Sequence, residues 1–296
     1  MSLITIIQWC DSTVNLVHGC AGCELWTPNL HSCYAGRIHS RLAGKTAAYP
    51  APFEEVREIP GRMSEAAHWS SLRDKDRQDK PWLDGLPRLI FMSDMADALS
   101  EGVLFEFLHR EIISSVVTHH GRRHHWLWLT KRPERMAEFS TWFLKRTGQH
   151  WPQNLWVGTS VTTQGTLTRV DALARVGDTE TMRFLSVEPQ IESISLADRI
   201  QCLDWVIAGG ESGPQSRPFD LEWSRQLTQE CRRHGVPFFL KQLGANPIEG
   251  ARKIHLKDSH GGDWAEWPDD LRVREMPISA ETSADLFEIL ADVPPS

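Results

Sequence analysis

Along the chain, short apolar runs rich in β-branched and aromatic residues alternate with longer segments in which apolar residues recur every three or four positions. The short runs are Ile4 to Trp9, with a continuation through Val14-Asn15-Leu16-Val17 into the cysteine loop left open, Arg88 to Met92, His125 to Leu129, Asn154 to Gly158, Met182 to Leu185, Leu203 to Ala208 and Pro237 to Leu240. Their length and near-continuous apolarity predict strands covered on both faces, as in a parallel sheet. The longer segments predict helices over Tyr34 to Leu42, about Val103 to Thr118, Pro133 to Leu144, about Gln164 to Arg175, and Leu221 to His234. Strand and helix in turn, at this spacing, predict an α/β fold: a single parallel β/α barrel of the TIM type, partial or near-complete. Trp126, Trp128, Trp156 and Trp205 fall within strands, as packing residues do.

The rhythm breaks twice. Residues 45–87 carry prolines at 50, 52, 60, 81 and 87 and the charged run Arg73-Asp74-Lys75-Asp76-Arg77. They predict a helical insertion or lid, with the charge run as a solvated face. Beyond Gly244 the chain turns polar, and Ala280 to Ala291 predicts one amphipathic helix before Pro294-Pro295. The expected organisation is a barrel over 1–244, holding a cysteine-rich loop at 10–34 and the insertion at 45–87, with a C-terminal extension over 245–296.

With 296 residues, 41% of them hydrophobic, the chain can bury one large core. Lys and Arg number 32 against 39 Asp and Glu, a net charge of −7, so no global basic field points to nucleic acid, although a local basic groove is compatible. The patch His119-His120-Gly121-Arg122-Arg123-His124-His125 precedes a strand, on the side away from the strand C-termini, and reads as a solvated loop. The first residues lack the basic and apolar regions of a secretory leader, and no run reaches membrane-span length. The expectation is a cytoplasmic protein with no membrane partner, in a reducing compartment where thiolate ligands survive.

Chemistry concentrates in two places. Cys20, Cys23 and Cys33 crowd into Val17-His18-Gly19-Cys20-Ala21-Gly22-Cys23-Glu24-Leu25-Trp26 and the Ser32-Cys33-Tyr34-Ala35 that follows. Cys20 and Cys23 can grip one metal centre, and Cys33 can return to it after the turn-prone Trp26-Thr27-Pro28-Asn29. Thiolates select zinc, copper or an iron-sulfur cluster. A closed zinc site needs a fourth ligand, for which Cys10, His18 and His31 are available. A four-iron cluster on three cysteines leaves one iron open for an outside ligand. Reduced thiols without metal also stay open.

The second place is the set of strand ends. Each apolar run closes on its C-terminal side with a residue able to bind or react: Asp94, Lys131, Ser160, Glu188, Glu211 and Lys241. In a β/α barrel these ends converge on one face, the cysteine loop among them. After the sixth run, Gly209-Gly210-Glu211-Ser212-Gly213-Pro214 offers two glycines that admit a ligand close to backbone amides.

Together with Phe91-Met92-Ser93-Asp94, Leu129-Thr130-Lys131-Arg132-Pro133-Glu134-Arg135-Met136, Arg183-Phe184-Leu185-Ser186-Val187-Glu188-Pro189 and Phe238-Phe239-Leu240-Lys241-Gln242, these motifs resemble the three-cysteine-motif family common in phages and prophages. The resemblance runs over roughly residues 4–244 with the motifs in order. That family is in turn similar to radical S-adenosylmethionine enzymes, although most of those space their cysteines by three residues and then two, against two and nine here. The resemblance implies an open β/α barrel, a [4Fe-4S] cluster on Cys20, Cys23 and Cys33, and S-adenosylmethionine on the open iron, cleaved to a 5'-deoxyadenosyl radical with an electron from a donor protein. It further implies Tyr34 at the adenine edge; strand-end position alone then makes Gly209, Gly210, Glu211, Ser160, Glu188 and Lys131 candidates for cofactor contacts and leaves Asp94 and Lys241 to substrate. The phage setting implies modification of a nucleic-acid base or a nucleotide. Two other classes stay open: a zinc-binding protein that processes or binds nucleic acid, with Asp94, Glu188 and Glu211 on a hydrolytic metal, and a non-enzymatic, metal-stabilised partner protein recruiting through 45–87.

Overall fold

The computed structural model describes residues 1–46 and 49–278. Seven strands form the main sheet: β1 (Ser12–Val14), β2 (Arg88–Met92), β3 (His124–Thr130), β4 (Leu155–Val161), β5 (Arg183–Val187), β6 (Trp205–Gly209) and β7 (Phe238–Gln242). Each pairs in parallel with the next, in chain order. Parallel neighbours need crossovers, and right-handed ones place the connecting helices on one face. Those helices follow α1 (Tyr34–Leu42) and α2 (Arg62–Ala67): α3 (Phe105–Leu108, continuing through a π turn, His109–Ile113, to Ser114–Val116), α4 (Pro133–Thr147), α5 (Arg169–Leu173) and α6 (Leu221–His234).

Strand alternation sorts the core into two clusters. Outward residues such as Met92, Trp126, Trp128, Val157, Leu185 and Leu240 pack with Phe107, Phe139, Phe143 and Leu227 of the helices. Inward residues Leu89, Phe91, Leu127, Trp156, Phe184, Trp205 and Phe239 pack on one another and on Trp9. Trp9 shows the curl directly. Its ring lies 4.6 Å from Phe91 on β2 and 6.2 Å from Trp205 on β6. Four strand spacings in a flat sheet are about 19 Å. The sheet is therefore curled into a half-barrel with an aromatic floor. Gly158 on β4 lets it close this far, because a Cβ there would stand 2.4 Å from the Phe184 ring.

The edge strands β1 and β7 do not pair, and the seam between them is filled by Arg274. Its guanidinium lies 4.2 Å from the Trp82 ring centre, 4.9 Å from Trp264, 5.2 Å from Trp267 and 5.7 Å from Phe239. It donates to Gln8 Oε1 before β1 and to the Lys241 carbonyl on β7. Burial in this box, only partly offset by Asp263, pulls its pKa down to about 10.

Several expectations need correction. The first strand is Ser12–Val14, not Ile4 to Trp9: Ile4 and Ile6 are 83% and 90% exposed, and only Trp9 of that run reaches the floor fully. β2 keeps the expected bounds, Arg88–Met92, whereas β3 to β7 run further toward their C-termini than the apolar runs, so that Ser160 and Lys241 are strand residues. The expected helix from Gln164 is broken into a turn, Gln164–Thr166, and α5. The insertion is mostly loop, with α2 its one α-helix among the described residues, and Arg57–Glu58 pairs with Val17–His18 ahead of the cysteines.

The charge run is not wholly solvated. Arg77 forms a nearly buried pair with Asp11 at 3.1 Å and caps the carbonyls of Leu83, Leu86 and Pro87. Nor is the histidine patch a solvated loop throughout, since His124 and His125 are buried on β3. The chain from 245 to 275 packs onto the half-barrel, burying Trp267 and Leu271. The expected helix at 280–291 lies outside the described residues. No helix among the described residues is long and apolar enough to cross a membrane.

Candidate functional site

At the C-terminal rim the inward side chains change from aromatic to polar. Trp156, Gly158 and Ser160 share one parity on β4; Phe184, Ser186 and Glu188 on and after β5; Trp205, Ile207 and Gly209 on β6; Phe239 and Lys241 on β7. Lys241 Nζ donates to Glu188 Oε2 at 2.5 Å, which joins β5 and β7 across β6. Ser160 Oγ lies 3.5 Å from the Glu188 carbonyl. The other carboxylate oxygen, Glu188 Oε1, is buried and has no hydrogen-bond partner among the described residues. Such an oxygen costs free energy unless a donor comes to it.

The cysteine loop is fastened over this rim. Arg132, just after β3, donates to Gly22 O at 2.6 Å, to Asp97 Oδ2 at 3.0 Å and to Cys20 Sγ at 3.8 Å. Arg169 of α5 holds Glu24 with both nitrogens, at 3.0 and 2.7 Å, and reaches Ser160 O at 2.9 Å. Thr162 Oγ1 donates to the same carboxylate. Burial works against charge on Glu24, but the Arg169 hydrogen bonds and charge, with Lys131, outweigh it and hold the carboxyl at about 2. Two guanidinium forks thus tie the loop to the ends of β3 and β4.

Within the loop, backbone bonds bring the cysteines near one another. Cys23 and Trp26 exchange hydrogen bonds, and Cys33 N donates to Leu25 O at 2.9 Å. Cys20 N donates to Phe53 O at 2.7 Å. Gly19 and Gly22 have φ of +76° and +87°, and a Cβ at Gly19 would meet Glu55 O at 2.5 Å. Burial raises the Cys20 pKa, as does Asp97, while Arg132 opposes them. Burial also raises the Cys23 pKa, against Lys131 and a hydrogen bond from the Leu25 backbone.

Asp94, after β2, accepts from Asn15 Nδ2, and Tyr34 donates to its main-chain carbonyl. Burial pushes the Asp94 carboxyl up, against hydrogen bonds from Asn15 and Thr13. Tyr34 is 54% exposed as a residue, while its hydroxyl reaches in to the Asp94 carbonyl after β2, at the mouth of the half-barrel.

The structure therefore gathers Cys20, Cys23, Cys33, Lys131, Tyr34, Asp94, Ser160, Glu188 and Lys241 about one rim. The glycine motif is more self-contained. Glu211 is bound by Arg217 at 2.7 and 2.9 Å, and what approaches Gly210 is the chain's own Leu243 carbonyl, 2.3 Å from a Cβ built there. Gly209 faces Gln242 on β7. The other possible thiol and imidazole ligands point elsewhere: Cys10 is buried in the floor, His18 lies beside Tyr49, and His31 stacks on Trp26 at 4.4 Å. Sequence reasoning missed Glu24, Asp97, Arg132 and Arg169. Nothing local to Arg132 marks a partner on the cysteine loop 110 residues away, and nothing local to Arg169 marks one 145 residues away.

Among the described residues no three His, Cys, Asp or Glu side chains stand close enough to hold a metal as they are. The donor set nonetheless fits a soft metal centre: three thiols on one loop, fixed by its backbone over a rim that carries an unpartnered carboxylate oxygen.

Over residues 4–268 the chain matches the family model described as Protein of unknown function (DUF5131), and it belongs to that family. No curated protein and no solved structure matches it.

Proposed function

We propose that this DUF5131 member is a radical S-adenosylmethionine-type enzyme built on a partial β/α barrel of the TIM kind, acting on a nucleic-acid base or nucleotide in a phage or prophage setting. The observation that carries the reading is the cysteine loop clamped by Arg132 and Arg169 over the polar rim of a parallel half-barrel. Cys20, Cys23 and Cys33 would hold a [4Fe-4S] cluster there, and such a cluster would supply the one-electron reduction of S-adenosylmethionine that radical chemistry on a substrate needs.

The chain's own residues bind, orient and exclude water. Tyr34 and Ser160 would flank the cofactor, and Gly209, Gly210 and Glu211, the last already held by Arg217, would wall the far side. Glu188 Oε1 accepts from a donor group of the cofactor, because Lys241 already satisfies Oε2. Lys131 and Asp94 line the substrate side, together with the Lys241 ammonium. The floor of Trp156, Phe184, Trp205 and Phe239 keeps water from below. An electron donor protein completes the cycle.

The test is anaerobic reconstitution with iron and sulfide, then dithionite and S-adenosylmethionine, with chromatography for 5'-deoxyadenosine. Wild type is expected to form it, Cys23→Ala to form none, and Glu188→Gln to form it about tenfold more slowly for loss of one charge-assisted hydrogen bond. No 5'-deoxyadenosine from cluster-loaded wild type would refute the proposal.

A further inference from the structure

We infer that the cleft between the cysteine loop, β1 and the insertion is a nucleotide subsite, with the base beside His18 and Tyr49 and the phosphate on Arg62. The inference rests on the substrate class proposed above but not on the radical chemistry.

The cleft holds about 220 Å³, and its lining includes Thr13, Asn15, His18, Tyr49, Arg62 and Asp94. Its walls carry rings. The His18 and Tyr49 rings are stacked at 6.0 Å with 26° between their planes, and His39 meets Tyr49 edge-on at 5.0 Å. His39 is itself anchored at 2.8 Å to Ala51 O, so the ring group has a fixed base. Planar side chains of this kind give a nucleobase a stacking surface.

The polar groups are placed to read the rest of a nucleotide. Arg62 donates through Nη1 to Asn15 O at 3.2 Å and forms no ion pair among the described residues, which leaves a partly buried guanidinium free to take a phosphate. Asp94 is oriented by Asn15, whose Oδ1 is taken by Met95 N and whose Nδ2 is spent on Asp94 itself. Its carboxylate accepts from the amino or ring N–H edge of a base. Inorganic phosphate would leave the rings and Asp94 unused. An amino acid would match the two charges but not the rings.

The experiment is calorimetric titration of the full-length chain, purified without reconstitution, with the four common nucleoside monophosphates, their nucleosides and S-adenosylmethionine. At least one monophosphate is expected to bind. Arg62→Gln should weaken it about tenfold or more while leaving the matching nucleoside unchanged, and Arg62→Lys should restore most of the loss. Tyr49→Ala should weaken monophosphate and nucleoside alike. Thermal melts of each variant separate binding from folding. Absence of monophosphate binding at millimolar concentration, binding unaltered in both Arg62→Gln and Tyr49→Ala, or displacement of the nucleotide by S-adenosylmethionine would overturn the inference. Failure of the radical assay with nucleotide binding intact would remove the chemistry and leave the subsite.

Discussion

Two buried histidines make this protein acid-labile by an amount the structure allows to be worked out. His125 points into the floor against Trp156, ring centres 4.9 Å apart, and neither of its nitrogens has a hydrogen-bond partner among the described residues. Burial, then the charges of Arg73 and His124, lowers its pKa from 6.5 to about 3. Burial likewise lowers His124 to about 4, against a hydrogen bond to Ala67 O. The folded state therefore refuses protons that the unfolded chain takes up below pH 6.5. Stability falls as pH drops through 6.5 and goes on falling until the folded pKa values are reached.

At about pH 5 the deficit is roughly one and a half pH units for each ring, about 2 kcal/mol each and about 4 kcal/mol together. That is a large part of the 5–15 kcal/mol typical of whole domains. The assay is urea unfolding at pH 7.5 and pH 5.0 for wild type and His125→Phe. The substitution should remove about 2 kcal/mol of the acid loss while keeping the ring contact with Trp156. Equal acid loss in the two proteins would show that His125 is protonated in the folded state, and the reasoning would fail.

Two further perturbations address the seam and the loop. Arg274→Ala empties the box of Trp82, Trp264, Trp267 and Phe239 and should cost about 2–4 kcal/mol in urea unfolding, with Arg274→Lys recovering little because an ammonium lacks the planar stack. Unchanged stability would mean that the edges of the half-barrel hold without the seam. Arg132→Gln removes the bonds to Gly22 O, Asp97 and Cys20 Sγ and leaves Asp97 short of its charge partner, for a loss of about 2 kcal/mol. Cys23, whose thiol does not depend on the Arg132 charge, should then react faster with a thiol reagent under native conditions, and unchanged reactivity would mean that the loop is held by its backbone alone.

What the sequence discloses here follows from how local each feature is. Strands β2 to β7 and helices α1, α4 and α6 announce themselves because buried strands and amphipathic helices leave short-range patterns, and Trp126, Trp128, Trp156 and Trp205 pack as expected. β1 was hidden because Ser12 and Thr13 are polar. Ser12 Oγ instead finds Leu3 O and Arg88, so the more apolar Ile4 to Trp9 drew the assignment. The burial of His124 and His125 runs against their polarity and is bought by sheet position alone. Their place on β3 between paired strands, not their type, puts them inside.

The rim shows the same division. Convergence of Asp94, Ser160, Glu188 and Lys241 follows from parallel strand topology, which periodicity predicts. The clamps Arg132 to Gly22 and Arg169 to Glu24, and the Arg274 seam, join segments more than a hundred residues apart in sequence or pair one guanidinium with several rings. No local pattern encodes such contacts, and only the folded chain displays them.

The central claim is that Cys20, Cys23 and Cys33 together hold an iron-sulfur cluster at this rim. The most direct measurement is iron, sulfide and zinc content with the visible spectrum after anaerobic reconstitution, comparing wild type with alanine at each of the three positions and at Cys10. The account predicts a brown protein with four irons and four sulfides per chain, lost on substitution of any of the three rim cysteines and kept in Cys10→Ala. A colourless protein that retains one zinc per chain, or a cluster that survives loss of a rim cysteine, would contradict it.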